Sequence, residues 1–289
     1  MSRARLILLT TLAMLAFAGN SLLCRIALKG TAIEGTAIDA ISFTAIRLAA
    51  GAAVLCLIVC VRRRSVFGQG NWPSACALLA YAVCFSLAYT ELSAATGALL
   101  LFVSVQASMI AYGIRAGERL SRIQLAGFVL AAGGLIVLLL PGLASPPVAG
   151  ALLMLFAGAA WAVYSLRAKG AGDPTKVTAG NFVRAALVAA GLSLFVIARG
   201  QASMDMAGFW CAVLSGAVTS GLGYVIWYSV LPALRAISAA TVQLSVPVIA
   251  ALGGVILLGE GVSLRLVLAS VAILGGIALV ILKPQAERG

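Results

Sequence analysis

The chain has 289 residues, of which 63% are apolar and 10% are charged, and 20 basic residues against 8 acidic ones give a net charge of +12. Globular domains carry about 25% charged residues, so this composition excludes a water-soluble fold, and the apolar content excludes a disordered chain. The absence of histidine excludes Ser-His and Cys-His catalysis, histidine-bound metals and histidine proton relays. The composition is that of an integral membrane protein.

Apolar segments long enough to cross a bilayer as helices of about 20 residues follow one another along the chain. We predict ten helices near residues 6–28, 37–61, 72–91, 94–115, 121–140, 148–168, 177–198, 206–230, 236–258 and 264–282. The uncharged stretch 123–166 contains two of them, because Pro141-Gly142 and Pro146-Pro147 divide it. Arg3 and Arg5 before an apolar run resemble a signal peptide, but nine further segments follow, so we expect an uncleaved first helix.

The basic residues predict the orientation of these helices, because cytoplasmic loops are enriched in Lys and Arg. With a cytoplasmic N-terminus, fourteen basic residues fall on the cytoplasmic side: Arg3, Arg5, Arg62, Arg63, Arg64, Arg115, Arg119, Arg122, Arg167, Lys169, Lys176, Arg235, Lys283 and Arg288. The outer side receives Arg25, Lys29, Arg199 and Arg265, while Arg47 and Arg184 lie inside helices. We therefore predict a multi-pass protein with both termini in the cytoplasm.

The two halves of the chain resemble each other in sequence. Arg47 of the second helix corresponds to Arg184 of the seventh. The other matches, in the same order in both halves, are 12–19 with 152–158, 29–30 with 169–170, 93–96 with 238–241, 117–118 with 259–260 and 133–134 with 275–276. We predict a first repeat at 1–141, a linker at 142–150 and a second repeat at 151–289. Because five helices per repeat is an odd number, the expected fold is an all-α membrane protein of ten helices as two inverted five-helix repeats (5+5), with a site near the midplane between them.

These residues also support a resemblance to a known family. The strongest matches are Asn20, Trp161 and the segment from 236 through Pro247 to the Gly259-Glu260 turn. Together they resemble the drug/metabolite transporter superfamily and, within it, the EamA family. The pattern of Tyr81, Cys84, Trp161, Tyr224 and Trp227 is similar to that of YddG-type exporters of aromatic amino acids. The resemblance implies a transporter of the bacterial inner membrane.

The candidate site can also be argued from helical spacing. Tyr81, Cys84 and Phe85 share one helical face, and Tyr224, Trp227 and Tyr228 correspond to them in the second half. Two such aromatic faces would enclose an apolar cavity with hydroxyl and indole donors at its edge. The predicted substrate-binding residues are Phe17, Asn20, Tyr81, Phe85, Phe102, Gln106, Trp161, Tyr164, Tyr224, Trp227, Tyr228 and Gln243.

Each of these residue types also has a purely structural interpretation. Aromatic residues on membrane helices commonly pack or lie at the bilayer interface, and Asn and Gln commonly bond neighbouring helices. The cysteines are interpreted as small apolar fillers. The glycine pairs 133–134 and 275–276 permit close helix packing, either within the chain or in a homodimer.

Three residues are predicted to have structural or gating roles: Arg47, Arg184 and Pro247. An arginine inside a membrane helix can hold a carboxylate substrate, or it can bond to the carbonyls of neighbouring helix ends. Glu118 and Glu260 are predicted to be helix caps. Glu91 is the acidic residue nearest to a helix interior, so we expect facilitated diffusion or an uncharged gating mechanism rather than proton exchange.

We therefore predict an exporter of small amphipathic metabolites, most of all amino acids including aromatic ones, that works by alternating access around an aromatic cavity. The alternative is an exporter of other metabolites or drugs, with or without proton coupling. We expect no enzymatic activity, cofactor, metal or nucleic acid. The expected partners are a small-molecule substrate and the lipid bilayer, with a monomer favoured over a homodimer.

Overall fold

The structure is a computed structural model that describes residues 2–29, 38–62, 69–115, 117, 121–140, 145–168, 172–234 and 242–282. Helices dominate these residues, and a single antiparallel bridge joins Ile38 to Met204. Within these described ranges, eight helices are long and apolar enough to cross a membrane, and two more are apolar but shorter. The prediction of an all-α membrane protein is confirmed.

In chain order the helices are α1 Arg3–Lys29, α2 Ala40–Val61, α3 Trp72–Tyr89, α4 Ala94–Arg115, α5 Arg122–Leu139, α6 Val148–Ala168, α7 Pro174–Ala198, α8 Met206–Val230, α9 Ser245–Leu258 and α10 Leu264–Leu282. The middle of α8, Ser215–Leu222, is a π-helix, and a 3-10 turn at Leu231–Ala233 follows α8. Each helix overlaps a predicted segment.

Two helices begin where an aspartate caps them rather than at the predicted residue. The Asp39 carboxylate accepts from the backbone N–H groups of Ile41 and Ser42, so α2 begins at Ala40 instead of 37. Asp173 caps α7 in the same way, and Pro174 occupies its first position, so α7 begins at 174 instead of 177.

One other boundary is corrected by the structure, and a second cannot be compared with its prediction. Helix α3 ends at Tyr89 instead of 91, because the N–H of Glu91 bonds to the Ala88 carbonyl in a turn. Helix α9 is described from Ser245, after two helical residues at 242–243, and its predicted start at 236 lies outside the described residues. Pro247 therefore lies in the first turn of α9, where its missing N–H costs no helical hydrogen bond.

Several residues used in the predictions lie outside the described residues: Gly30, Arg63, Arg64, Glu118, Arg119, Pro141, Gly142, Lys169, Gly170, Arg235, 238–241, Lys283 and Arg288.

The helix ends meet at two opposite ends of the molecule. At the first, which we call the Glu260 end, Arg25 of α1 meets Tyr89 of α3 and Glu260 after α9. Other contacts at this end are Glu91 to Gly150, Asp39 to Ser203 and Arg265 to Val137 and Leu140. At the second, which we call the Pro174 end, Arg167 of α6 meets Ser74 of α3, and Asn71 meets Asn181 of α7.

The helices pack in a regular pattern. Extensive contacts join α2 to α7, α5 to α10, α3 to α6 and α1 to α8, while α4 packs on α6 and α9 packs on α1. At the α5–α10 interface, Gly134 faces Ala272 and Ile273, and Gly276 faces the backbone of Gly127 and Ala131. The second glycine of each pair thus serves packing within the chain.

Candidate functional site

A cavity of about 410 Å³ lies between α1, α3, α4, α6 and α8. The predicted residues that line it are Phe17, Asn20, Tyr81, Phe85, Phe102, Gln106, Trp161, Tyr224, Trp227, Tyr228 and Gln243. Its volume lies in the range of about 300–1,000 Å³ that is typical of small-molecule pockets, and its wall is mostly apolar and aromatic with a few polar groups.

Trp161 joins the two aromatic faces of this cavity. Its ring centroid lies 4.9 Å from that of Tyr81 on α3 and 5.2 Å from that of Tyr224 on α8. Phe17 of α1 continues the wall, 5.9 Å from Tyr224 and 6.0 Å from Trp227. These separations are those of stacked and edge-on aromatic pairs, so the cavity presents a continuous aromatic wall to a flat ring.

Tyr164 does not line the cavity. Its side chain is buried behind Trp161, with the two ring centroids 5.5 Å apart. Although residues three apart are neighbours on a helix surface, the lining includes Trp161 and not Tyr164. Cys84 is also absent from the lining, although Tyr81 and Phe85 beside it are present.

Asn20 is held by a polar network between three helices. Its side-chain nitrogen donates to the Tyr81 hydroxyl (3.3 Å), and its side-chain oxygen accepts from Ser215 (2.7 Å) and Thr219 (3.4 Å). Ser215 and Thr219 belong to the π-helix of α8, a rare geometry that is frequent at functional sites.

The prediction from sequence missed these hydroxyl residues. Thr219 and Ser220 both line the cavity, and the Ser220 hydroxyl has no hydrogen-bond partner in the described part of the chain. The signal that could have found them is the Ser-, Thr- and Gly-rich segment 215–223 inside an otherwise apolar helix.

Arg47 lies behind the cavity wall and is 2% exposed. Its Nη2 donates to the Tyr81 hydroxyl at 3.2 Å, and its guanidinium carbon lies 5.0 Å from the Phe85 ring centroid and 5.3 Å from that of Tyr81. Nε and Nη1 have no hydrogen-bond partner among the residues that the structure describes. Arg47 and Asn20 therefore both donate to the oxygen of Tyr81.

Arg184 is placed quite differently. Its Nη1 donates to the carbonyl oxygens of Gln69 (2.6 Å) and Gly180 (2.9 Å), and its guanidinium lies 6.0 Å from the Trp72 ring centroid. It fastens the segment before α3 onto α7 and does not line the cavity. Pro247 is buried in α9 and is also absent from the lining.

The two ends of the cavity differ. Toward the Pro174 end its lining reaches Ala168, Pro174, Leu231 and Gln243 at the helix termini. At the Glu260 end, Arg25 forms an ion pair of 2.9 Å with Glu260 and donates to the Tyr89 carbonyl at 3.0 Å.

The backbone supports this ion pair. The other carboxylate oxygen of Glu260 accepts from the N–H of Ala94, the first residue of α4. Gly259 adopts a left-handed conformation, with φ of +61°, which turns the chain so that Glu260 points back into the bundle. In the described part of the chain, no three acidic or cysteine side chains come together as a metal site.

Comparison with known proteins adds three findings. The model of the EamA-like transporter family matches residues 4–140 and again 148–282. An uncharacterized protein of Pseudomonas aeruginosa is 55% identical over 285 residues, which cover 98% of this chain and 96% of that protein. A crystal structure described simply as that of a protein has the same fold, with a TM-score of 0.67 at 23% identity, and the match covers 97% of this chain and 98% of the other.

Proposed function

The chain belongs to the EamA-like transporter family of membrane proteins, and from this premise we propose that it exports small amphipathic metabolites, above all amino acids with aromatic side chains. The observation that carries this proposal is the position of Trp161 between Tyr81 and Tyr224 in a central cavity. Aromatic walls favour a flat ring, and the adjacent Asn20 supplies polar contacts for the rest of an amino acid.

The proposed architecture is an inverted pair of five-helix repeats, at 1–141 and 151–289, joined by the linker 142–150. Three observations support it. The family model matches the chain twice. The helix contacts occur in corresponding pairs, α3–α6 with α1–α8 and α4–α6 with α1–α9. Helix α1 ends at the Glu260 end, whereas α6 begins there, so corresponding helices run in opposite directions.

The proposed mechanism is alternating access between the two ends. The cavity extends to the Pro174 end, while the Arg25–Glu260 ion pair joins α1 to the α9 terminus at the other. We place the Pro174 end in the cytoplasm of a bacterial inner membrane, because the basic loops of the chain would lie on that side. In this arrangement the substrate enters from the cytoplasm and leaves when the Glu260 end opens.

Transport is proposed not to exchange protons. The acids that the structure describes lie at helix termini: Asp39, Asp173 and Asp205 cap helices, Glu91 accepts from the Gly150 N–H, and Glu260 pairs with Arg25. Glu91→Gln is expected to leave transport unchanged. Loss of transport in a folded, inserted Glu91→Gln protein would contradict this mechanism.

The test is amino-acid flux in proteoliposomes, comparing wild type with Trp161→Ala. We expect saturable flux of aromatic amino acids that falls about tenfold or more in the variant, because a buried stacking contact is lost. Trp210→Ala is the matched control, since Trp210 is exposed on α8 and outside the cavity. Saturable flux of aliphatic or polar solutes without aromatic preference would overturn the aromatic proposal.

A further inference from the structure

We infer that the substrate must carry a carboxylate, and that the buried charge of Arg47 selects for it through the Tyr81 hydroxyl. This inference rests on the proposed function, because it takes the central cavity to be the substrate site. It goes further in assigning the recognised group: the carboxylate is required, and the amino group is dispensable.

The first step concerns charge. Arg47 is buried in the interior of α2, where an ion is stable only with partners. The ion pair found in the described part of the chain is Arg25–Glu260. The other described acids, Asp39, Glu91, Asp173 and Asp205, accept hydrogen bonds from backbone N–H groups at helix termini. The described protein thus leaves a positive charge beside the cavity without an acidic neighbour.

The second step concerns the direction of the hydrogen bonds. The Tyr81 oxygen accepts from both Arg47 Nη2 (3.2 Å) and Asn20 Nδ2 (3.3 Å). The Asn20 oxygen is itself occupied by hydroxyl donors from Ser215 and Thr219. The remaining hydrogen-bonding capacity of the Tyr81 hydroxyl is its own proton, which can be donated to a ligand. Because Arg47 polarises this hydroxyl, the donated bond is charge-assisted and favours an anionic acceptor.

The third step concerns the position of the donor. Tyr81 lines the cavity, and its ring lies 4.9 Å from Trp161. A molecule whose ring lies on the aromatic wall around Trp161 would therefore place a group two or three bonds away beside the Tyr81 hydroxyl. Arg47 contributes the charge from behind Tyr81 and is a positioning residue. Nε and Nη1 of Arg47, which have no partner among the described residues, remain available if Tyr81 moves aside.

Arg184 provides the internal contrast. It occupies the corresponding place in α7, but its guanidinium is bonded to the carbonyl oxygens of Gln69 and Gly180 and lies away from the cavity. The same residue type at the corresponding place in the sequence is therefore a matched control for charge and size.

The experiment measures binding of three ligands with one phenylethyl skeleton and different charge to the purified full chain by calorimetry at neutral pH; the carboxylate and the amide also share one shape. The ligands are 3-phenylpropionate, its neutral amide 3-phenylpropionamide and the cation 2-phenylethylamine. We expect wild type to bind the carboxylate about tenfold or more tightly than the amide, the scale of one charge-assisted contact, and to bind the amine most weakly. This carboxylate-to-amide ratio is expected to fall to near one in Arg47→Gln, while Arg184→Gln retains it.

A merely structural role for Arg47 would weaken carboxylate and amide equally and would leave their ratio unchanged. A wild-type ratio near one, or a ratio that survives in Arg47→Gln, would overturn the inference. If Arg47→Gln does not fold, Arg47→Lys and Tyr81→Phe decide the matter: the ratio should be kept in part by the first and lost in the second. Absence of binding by all three ligands to wild type, or equal binding of all three, would overturn this inference alone, because none of them is an amino acid. The proposed function fails separately, if proteoliposomes show no saturable flux of aromatic amino acids.

Discussion

The two halves of the molecule differ most where they carry charge. Arg47 on α2 is buried beside the central cavity, and within the described residues its one hydrogen bond is to Tyr81. Arg184, its counterpart on α7, is partly exposed and bonded to two backbone carbonyls. The second contrast is at the ends of α1 and α6, where Arg25 forms an ion pair with Glu260, but Arg167 bonds to the hydroxyl of Ser74.

The neighbouring backbone explains the first contrast. The π-helix of α8 packs on α2 so closely that a Cβ at Gly216 would overlap the carbonyl of Arg47, which leaves the Arg47 side chain to point among the aromatic residues. On α7 the segment before α3 lies against Gly180 instead, and its Gln69 carbonyl accepts from Arg184. Two sequence-related halves can therefore use one residue for different purposes, because each is packed against a different surface.

The largest effect is expected from Glu260→Ala, which breaks the ion pair between Arg25 of the first half and Glu260 of the second. Removal of one partner leaves Arg25 buried and unpaired, so we expect the free energy of unfolding to fall by about 3–5 kcal/mol. Unfolding of the purified protein by SDS titration measures this loss. In the matched variant Arg167→Ala, an exposed residue loses one bond to a hydroxyl, and the expected loss is about 1 kcal/mol or less.

The double variant Arg25→Ala/Glu260→Ala sharpens this comparison. Its loss of unfolding free energy is expected to be smaller than the sum of the losses in Arg25→Ala and Glu260→Ala, because no unpaired charge is left behind. Equal losses of unfolding free energy in Glu260→Ala and Arg167→Ala would contradict the contrast between the end of α1 and the end of α6.

The next largest effect is expected from Tyr81→Phe compared with Tyr224→Phe. The Tyr81 hydroxyl accepts from a buried cation, so its removal should cost about 1.5–3 kcal/mol of unfolding free energy. The Tyr224 hydroxyl has no hydrogen-bond partner among the described residues, and its loss should cost about 0.6 kcal/mol or less. The same unfolding titration compares the two variants, and similar losses would contradict the assigned asymmetry.

Much of the fold was predictable because its signals are local. Uncharged runs of the sequence located each described helix. The errors lie at boundaries where a capping side chain, such as Asp39 or Asp173, determines the first residue of the helix. The predicted start of the ninth helix, at 236, lies outside the described residues and stays a prediction.

The site was predictable only in part, for a geometrical reason. Aromatic spacing identified the faces of α3 and α8, but it could not fix the rotation of α6, and Tyr164, also predicted to bind substrate, does not line the cavity. A π-helix shifts the faces of α8 by adding a residue to each turn, which is why Ser215 and Thr219 were missed. Arg25 and Glu260 are separated by 235 residues, and no local pattern pairs them.

A smaller effect is expected where the two halves are alike. Gly134 and Gly276 both lie in the α5–α10 interface, and a Cβ at either would meet the facing helix at 3.0 Å or less. We expect Gly134→Ala and Gly276→Ala each to lower the unfolding free energy by about 1–3 kcal/mol through overpacking. The adjacent Gly133→Ala and Gly275→Ala place their methyl groups in open space and should have little effect. A large difference between the unfolding free energies of Gly134→Ala and Gly276→Ala would contradict the equivalence of the two halves at the α5–α10 interface.

The smallest effect is expected from the hydroxyl groups that hold Asn20, which belong to one half alone. Aligning Tyr224 with Tyr81 places Trp72 and Cys76 of α3 opposite Ser215 and Thr219 of α8, so the first half has no hydroxyl at either position. Ser215→Ala removes a bond of 2.7 Å and should cost about 1 kcal/mol, within the range for membrane hydrogen bonds.

Thr219→Val removes a longer contact of 3.4 Å to Asn20 and should cost about 0.5 kcal/mol. Both costs are measurable as shifts of the unfolding midpoint, and Cys76→Ala in the corresponding position of α3 is the control. Because Asn20 orients its amide by these bonds, Ser215→Ala should also weaken carboxylate binding at Tyr81 more than Thr219→Val does. The reverse order would mean that Asn20 is held by contacts other than these two hydroxyl groups.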